Sequence, residues 1–253
     1  MNILVTNDDG YAAPGLLALK TALSRVGNVV VVAPEHNYSA AGHVKTMHKP
    51  LRIGEVHLRD GSTAYATTGA PSDCVALVLL GALDFKPDLL LSGINLNCNL
   101  GHDVTYSGTV TAAMEGTIGG VPSIAVSAAS AEAYPAAAAF ATRLAAQAFE
   151  RSLPRDVLLN VNVPAPPIYG VRITRMGKRL YRDELIVRQD PRGRPYYWIG
   201  GERPSGVPDE GTDIWAIDNG YISVTPIQLD LTAHSWLETL SAWDLKAEAW
   251  QSA

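Results

Sequence analysis

Residues Ile3-Leu4-Val5-Thr6-Asn7-Asp8-Asp9-Gly10 set an apolar run directly against a polar turn that carries two adjacent carboxylates. A short apolar run bounded by turn residues reads as a buried strand. Pro14 then opens a helix through Leu16, Leu17, Leu19 and Leu23, and Gly27 falls where a C-terminal cap belongs. Val29 to Val32 is a second fully apolar strand, ending at Pro34. Continuous apolar strands joined by a helix predict a parallel sheet covered on both faces, with right-handed crossovers.

The same alternation runs outward along the chain. Pro71-Ser72-Asp73 starts a helix through Val75, Leu79 and Leu80. Leu89-Leu90-Leu91 reads as a strand, Ser107 to Glu115 as a helix start, and Ser123 to Val126 as a strand. Glu132 to Glu150 is an Ala-rich helix, and Val157 to Val163 alternates into a further strand. From Val171 the pattern changes. Arg172-Ile173-Thr174 and Ile222-Ser223-Val224 read as strands, whereas Asp183 to Asp213 is rich in Pro, Gly, Arg and aromatics and reads as a protruding hairpin or excursion suited to subunit contact. Ser235 to Trp250 spaces Trp236, Leu240, Trp243 and Trp250 helically. The expected organisation is a single α/β domain: a core over about 1–170, an excursion over about 180–215 and a C-terminal helix over about 235–250.

Composition narrows the function classes. Of 253 residues, 47% are hydrophobic and 18% charged, an ordinary globular balance. The formal charge of -5 argues against a nucleic-acid partner, which needs a basic surface. Only Cys74 and Cys98 occur, without CxxC spacing, so neither a disulfide framework nor a cysteine zinc site is expected. No basic n-region precedes the first strand, and no apolar stretch approaches the roughly 20 residues of a membrane helix, so a cytoplasmic protein without a membrane partner is expected.

In an open parallel sheet the ligand site lies beyond the carboxyl ends of the strands. The polar clusters after Val5, Ala33 and Leu91 therefore converge on one edge. Asn7-Asp8-Asp9-Gly10 is, taken alone, a tight turn built from turn-forming residues. Adjacent carboxylates at the end of a buried strand nevertheless repel each other, and a cation relieves that cost. Ser39, in the loop after the second strand, and Asn95, in Ser92-Gly93-Ile94-Asn95, add neutral oxygens. An all-oxygen set of Asp8, Asp9, Ser39 and Asn95 suits Mg²⁺, Mn²⁺ or Ca²⁺ better than a soft metal. Ser107-Gly108-Thr109 opens a helix and offers hydroxyls and free N–H groups to a phosphate, although simple N-capping by Ser107 explains it equally well alone. Metal ligands and an anion-binding helix start on one edge together point to phosphoryl transfer.

These motifs resemble those of the SurE (stationary-phase survival protein) family. The likeness is carried by Ile3 to Gly10, Thr68-Gly69-Ala70-Pro71-Ser72-Asp73-Cys74-Val75, Ser92 to Asn95 and the run from Tyr106 to Gly116. Asn160-Val161-Asn162-Val163-Pro164 and Ile222-Ser223-Val224-Thr225-Pro226 complete it, so it spans nearly the whole chain. The resemblance implies a Rossmann-like three-layer αβα core and a phosphomonoesterase acting on nucleoside 5′- and 3′-monophosphates, with action on short polyphosphate as an extension. It further implies one divalent cation per subunit, Mg²⁺ or Mn²⁺ with Ca²⁺ or Co²⁺ as alternatives, and a homodimer or homotetramer. The metal ligands it implies are Asp8, Asp9, Ser39 and Asn95. Asp8, Asp9 and Asn95 are the catalytic set, and Asn95, Ser107, Gly108 and Thr109 lie at the phosphate. Asn97 stands where the family has a glycine, a position asparagine tolerates if φ is positive, and Cys98 is expected at the pocket wall.

Other readings fit less well. A phosphoaspartate phosphatase needs a D-x-D pair, and neither G-x-G-x-x-G nor a P-loop follows the first strand. A module that binds nucleotide without hydrolysis shares the site features. The six histidines show no HxH or HExxH spacing, leaving His102-Asp103 as the one pair placed for acid–base work, and Asp213 reads as structural.

Overall fold

The structure is a computed structural model that describes residues 1–181, 183–201, 205–243 and 245. In chain order, β1 (Asn2–Thr6), α1 (Pro14–Leu23), β2 (Asn28–Pro34), β3 (Ile53–His57), β4 (Thr63–Thr67), α2 (Pro71–Leu79) and β5 (Leu89–Leu96) come first. They are followed by α3 (Gly108–Ile118), β6 (Ser123–Ala128), α4 (Tyr134–Arg151), β7 (Val157–Val163) and β8 (Gly170–Ile173). The last third holds β9 (Arg179–Leu180), β10 (Asp183–Gln189), β11 (Pro195–Gly201), β12 (Ser205–Gly206), α5 (Asp213–Asp218), β13 (Tyr221–Gln228) and α6 (His234–Ser241).

One nine-stranded sheet runs in the order β3-β4-β2-β1-β5-β6-β7-β13-β8. From β4 through β7 every neighbouring pair is parallel; β3 and β13 run antiparallel to β4 and β7. The expected α/β, mainly parallel architecture is therefore what the chain adopts. Alternating side chains explain the two helical layers. Ile3 and Val5 face the cluster containing Leu16, Leu19 and Leu23 of α1 and Ala137, Ala141 and Ala145 of α4. Leu4 faces the opposite way, onto Val75 and Val78 of α2 and Ala112 of α3. Small residues let the layers close. Gly15 in the first turn of α1 lies so near β5 that an added Cβ would meet the Ile94 carbonyl oxygen at 2.0 Å.

Several boundaries differ from the sequence expectation. Helix α1 stops at Leu23 with Ser24 in the cap position, and Gly27 is too far along to cap it, although its N–H donates to Leu23 O at 3.1 Å. Strand β5 continues through Ser92, Gly93, Ile94 and Asn95 instead of ending at Leu91, with a register shift between Gly93 and Asn95 against β6. The pair β3–β4 and the short helix α5 carry no clear apolar period and are not expected from it. Within the excursion, β10 and β11 form a separate two-stranded hairpin. The C-terminal helix is described as His234–Ser241, and Trp250 lies outside the described residues.

Candidate active site

The chain passes from β1 through α1 to β2 on one side of β1, then through α2 to β5 on its other side. That reversal of strand order opens a crevice at the carboxyl ends of β1 and β5, where ligands bind in sheets of this kind. Asp8 and Asp9 follow β1 there, Asn95 is the last residue but one of β5, and the loop after β2 folds over them through a Tyr38 N–H donated to Asp8 O at 2.8 Å. Asp8, Ser39, Asn95 and Ser107 line one cavity of about 260 Å³, together with Asn97, Asn99, Asp103 and Tyr106. A larger groove of about 730 Å³ between α1 and α4 is lined mostly by apolar side chains with Arg25 and Arg59, and holds no carboxylate. The carboxylates and hydroxyls lie in the smaller cavity.

Asp8 is 3% exposed and Asp9 about half-buried, and burial pushes both carboxyls above their ordinary range. The Asp9 charge pushes Asp8 further up, and the Thr109 hydroxyl, which donates to Asp8 Oδ1 at 2.5 Å, pulls it back. Asp9 accepts from Asn37 Nδ2 at 3.1 Å and from the Leu96 backbone. Among the described residues neither aspartate forms an ion pair. Two desolvated carboxylates without a cationic side chain fit a bound cation, which would remove the repulsion that raises them. Among the described residues no group of three His, Cys, Asp or Glu side chains could hold a metal, and Asp103 is engaged by Arg179 and Tyr181, so the donors left beside the pair are neutral oxygens. Such a set suits a hard divalent ion.

Three residues do work that motif reading alone does not assign. Thr109 is fully buried, and its hydroxyl serves Asp8 and not the cavity. Asn37 bonds Asp9 through its amide and takes the Ser39 N–H at 2.7 Å, an Asx turn that ties Ser39 to the carboxylate pair; an Asn two residues before a loop serine is the signal for it. Gly108 lets α3 start against Asp8, for a Cβ there would meet Asp8 Cβ at 2.7 Å. Ser107 caps α3 by accepting from the Val110 N–H at 3.1 Å, which leaves its own hydroxyl proton to donate.

Asn97 has φ +84°, the left-handed conformation that asparagine accepts where other residues resist. Cys98 departs from expectation: its Sγ points to Val163 O at 3.9 Å and does not line the cavity, and burial pushes the thiol up to about 12. His102 is exposed, and Asp103 is fully engaged. It accepts from Arg179 Nε at 2.7 Å and from the Tyr181 hydroxyl at 2.8 Å, so both oxygens of its carboxylate are engaged. Asp213, fully buried, accepts the N–H groups of Gly101 and Gly177, both at 2.7 Å, and so braces the loop before Ser107.

The Survival protein SurE family model matches residues 3–183. The chain is 55% identical over 248 residues to the 5'-nucleotidase SurE of Herpetosiphon aurantiacus, covering 95% of this chain and 97% of that protein. It is 51% identical over 253 residues to the 5'-nucleotidase SurE of Geobacter sulfurreducens, covering 98% and 95%. The crystal structure of the SurE protein from Aquifex aeolicus is 42% identical and superposes with a TM-score of 0.81, covering 95% of this chain and 98% of that one. With its motifs, its sheet order and its relatives in agreement over almost its whole length, the chain belongs to the SurE family.

Proposed function

We propose that the chain is a divalent-cation-dependent 5′-nucleotidase that hydrolyses nucleoside monophosphates, 3′-esters among them, with short polyphosphate as a further substrate. The observation that carries the reading is the Asp8-Asp9 couple, desolvated and without an ion-pair partner among the described residues, placed against the capped start of α3. The relatives' name, 5'-nucleotidase SurE, supports the substrate class. In this reading Asp8, Asp9, Ser39 and Asn95 hold one cation, Mg²⁺ or Mn²⁺ before Ca²⁺ or Co²⁺. When bound, such a cation neutralises phosphate charge and lowers the pKa of water.

The chain's own residues do the rest. The Ser107 hydroxyl, the Gly108 N–H and the Asn95 amide hold the phosphoryl oxygens as charge develops. Thr109 contributes by fixing Asp8. Water attacks phosphorus in line, a P–O bond forms, and the ester P–O bond breaks. One aspartate of the pair takes the water's proton and passes it to the departing nucleoside oxygen, which leaves as the free hydroxyl. The protein is proposed to work in the cytoplasm, where its two free thiols stay reduced. It is proposed to do so as a homodimer or homotetramer, because the β10–β11 hairpin and α6 present exposed apolar side chains, among them Trp198, Ile199 and Trp236. Among the described residues no helix is long and apolar enough to cross a membrane.

The test is phosphate release from a nucleoside monophosphate. Activity abolished by EDTA and restored by Mn²⁺ or Mg²⁺ is expected. Saturable nucleotide binding with no phosphate released under any of these cations overturns the reading in favour of a binding module.

A further inference from the structure

The Asn160-Val161-Asn162 stretch of β7 has no part in the site as described, yet it buries two carboxamides completely in the interior of the sheet. A buried amide is unfavourable without partners, so the bonds it makes reveal what it is kept for. Both amides reach the same residue on the neighbouring loop. Asn162 Oδ1 accepts the Asn99 N–H at 2.8 Å, and Asn162 Nδ2 donates to Asn99 O at 3.1 Å. Asn160 Nδ2 donates to that carbonyl at 2.9 Å, while its own Oδ1 stays buried without a partner among the described residues. Asn160 thus contributes through its donor end. From β6, Ser127 Oγ accepts Asn99 Nδ2 at 2.8 Å.

The grip continues toward the cavity. Two residues earlier, the Asn97 N–H donates to Ala128 O at 2.8 Å, and the carbonyl of Asn97 accepts Asn95 Nδ2 at 2.7 Å. One of the two Nδ2 N–H groups of Asn95 is thereby held by the loop, which fixes the amide: the second N–H stays available to a phosphoryl oxygen, and Oδ1 is the end a cation can take. We infer that Asn162, backed by Asn160 and Ser127, is a positioning residue that fixes the loop 96–100 and so sets the Asn95 oxygen toward the cation. The inference rests on the proposed metal site. It gives a task to a motif that touches neither substrate nor cation.

The test compares metal-free wild type, Asn162→Ala and Ser127→Ala by calorimetric titration with Mn²⁺ in the absence of nucleotide, alongside thermal melting and kinetics over a range of Mn²⁺. Loss of a residue that orients a metal ligand typically weakens metal affinity about 10–100-fold. Asn162→Ala is expected within that range, and Ser127→Ala at a smaller shift of the same sign. In both, kcat returns toward the wild-type value at saturating Mn²⁺ while the Mn²⁺ activation constant stays raised. A merely structural role would lower the melting temperature and leave the Mn²⁺ constant unmoved, and that result overturns the inference. If Asn162→Ala does not fold, unchanged affinity in Ser127→Ala overturns it equally. Wild type that binds no Mn²⁺ overturns the proposed function, and the inference with it, whereas tight wild-type binding with unshifted variants overturns the inference alone.

Discussion

Strands β7 and β11 are each seven residues long, and they invert the usual placement of polar and apolar side chains. β7 lies in the interior of the nine-stranded sheet and buries Asn160 and Asn162 completely. β11 pairs with β10 in a detached two-stranded hairpin and leaves Trp198 62% and Ile199 83% exposed. Polarity alone therefore does not decide burial. Asn162 is tolerated inside because both ends of its amide bond Asn99 in the loop above, and an amide so satisfied loses little; Asn160 bonds the same residue through Nδ2 alone. The hairpin's apolar residues are exposed, and they are the surface on which the proposed assembly rests. In these proposals one strand orders the site and the other serves assembly.

The largest effect is expected where buried charge does chemistry. Asp8→Asn and Asp9→Asn should each lower phosphate release by about 10²–10³-fold or more, measured against the same substrate and cation. The fold should survive, because neutralising a desolvated carboxylate removes a cost; melting temperatures at or above wild type in EDTA would show this. Full turnover by either variant would detach the carboxyl edge of the sheet from function.

The next effect bears on the two strands directly. Leu158→Ala on β7 removes a fully buried side chain and should cost about 2–5 kcal/mol in urea unfolding. Ile199→Ala on β11 should change protomer stability by no more than about 0.5 kcal/mol, yet shift the oligomer toward smaller species on size exclusion. Equal losses from both would break the contrast. The smallest effect is expected from Cys98→Ser, whose sulfur faces Val163 O away from the cavity. Its kcat/KM should stay within about twofold of wild type, and a larger loss would return Cys98 to the site.

Much of the fold was legible along the chain. Ile3 to Val5 and Val29 to Val32 are β-branched or apolar runs, and Val157 to Val163 alternates apolar residues with two asparagines; burial of such strands on both faces needs helices above and below, so layer order follows from pattern. Less legible were β3 and β4, where Glu55 and His57 interrupt the apolar pattern in a strand at the sheet's edge. The extension of β5 past Leu91 was hidden too, because Ser92-Gly93 has the composition of a turn and only pairing with β6 keeps it in the sheet. Of the site, Asp8, Ser39, Asn95 and Ser107 do meet at one cavity, as the strand-end rule predicts. Thr109 was readable as a helix-start hydroxyl but not as the partner of Asp8.

The sequence by itself determined the strand–helix alternation, the two carboxylates at the first strand's exit and the positive-φ tolerance of Asn97. These depend on neighbours within a few residues and leave their mark in composition and spacing. Only the tertiary structure decided that Thr109 would bond Asp8 across 101 residues, or that Asn162 would grip Asn99 across 63. Such contacts follow from strand order and from the crossing of a helix start over a strand end. A hydrogen bond needs a partner within about 3 Å, and no local period records which distant residue will arrive there.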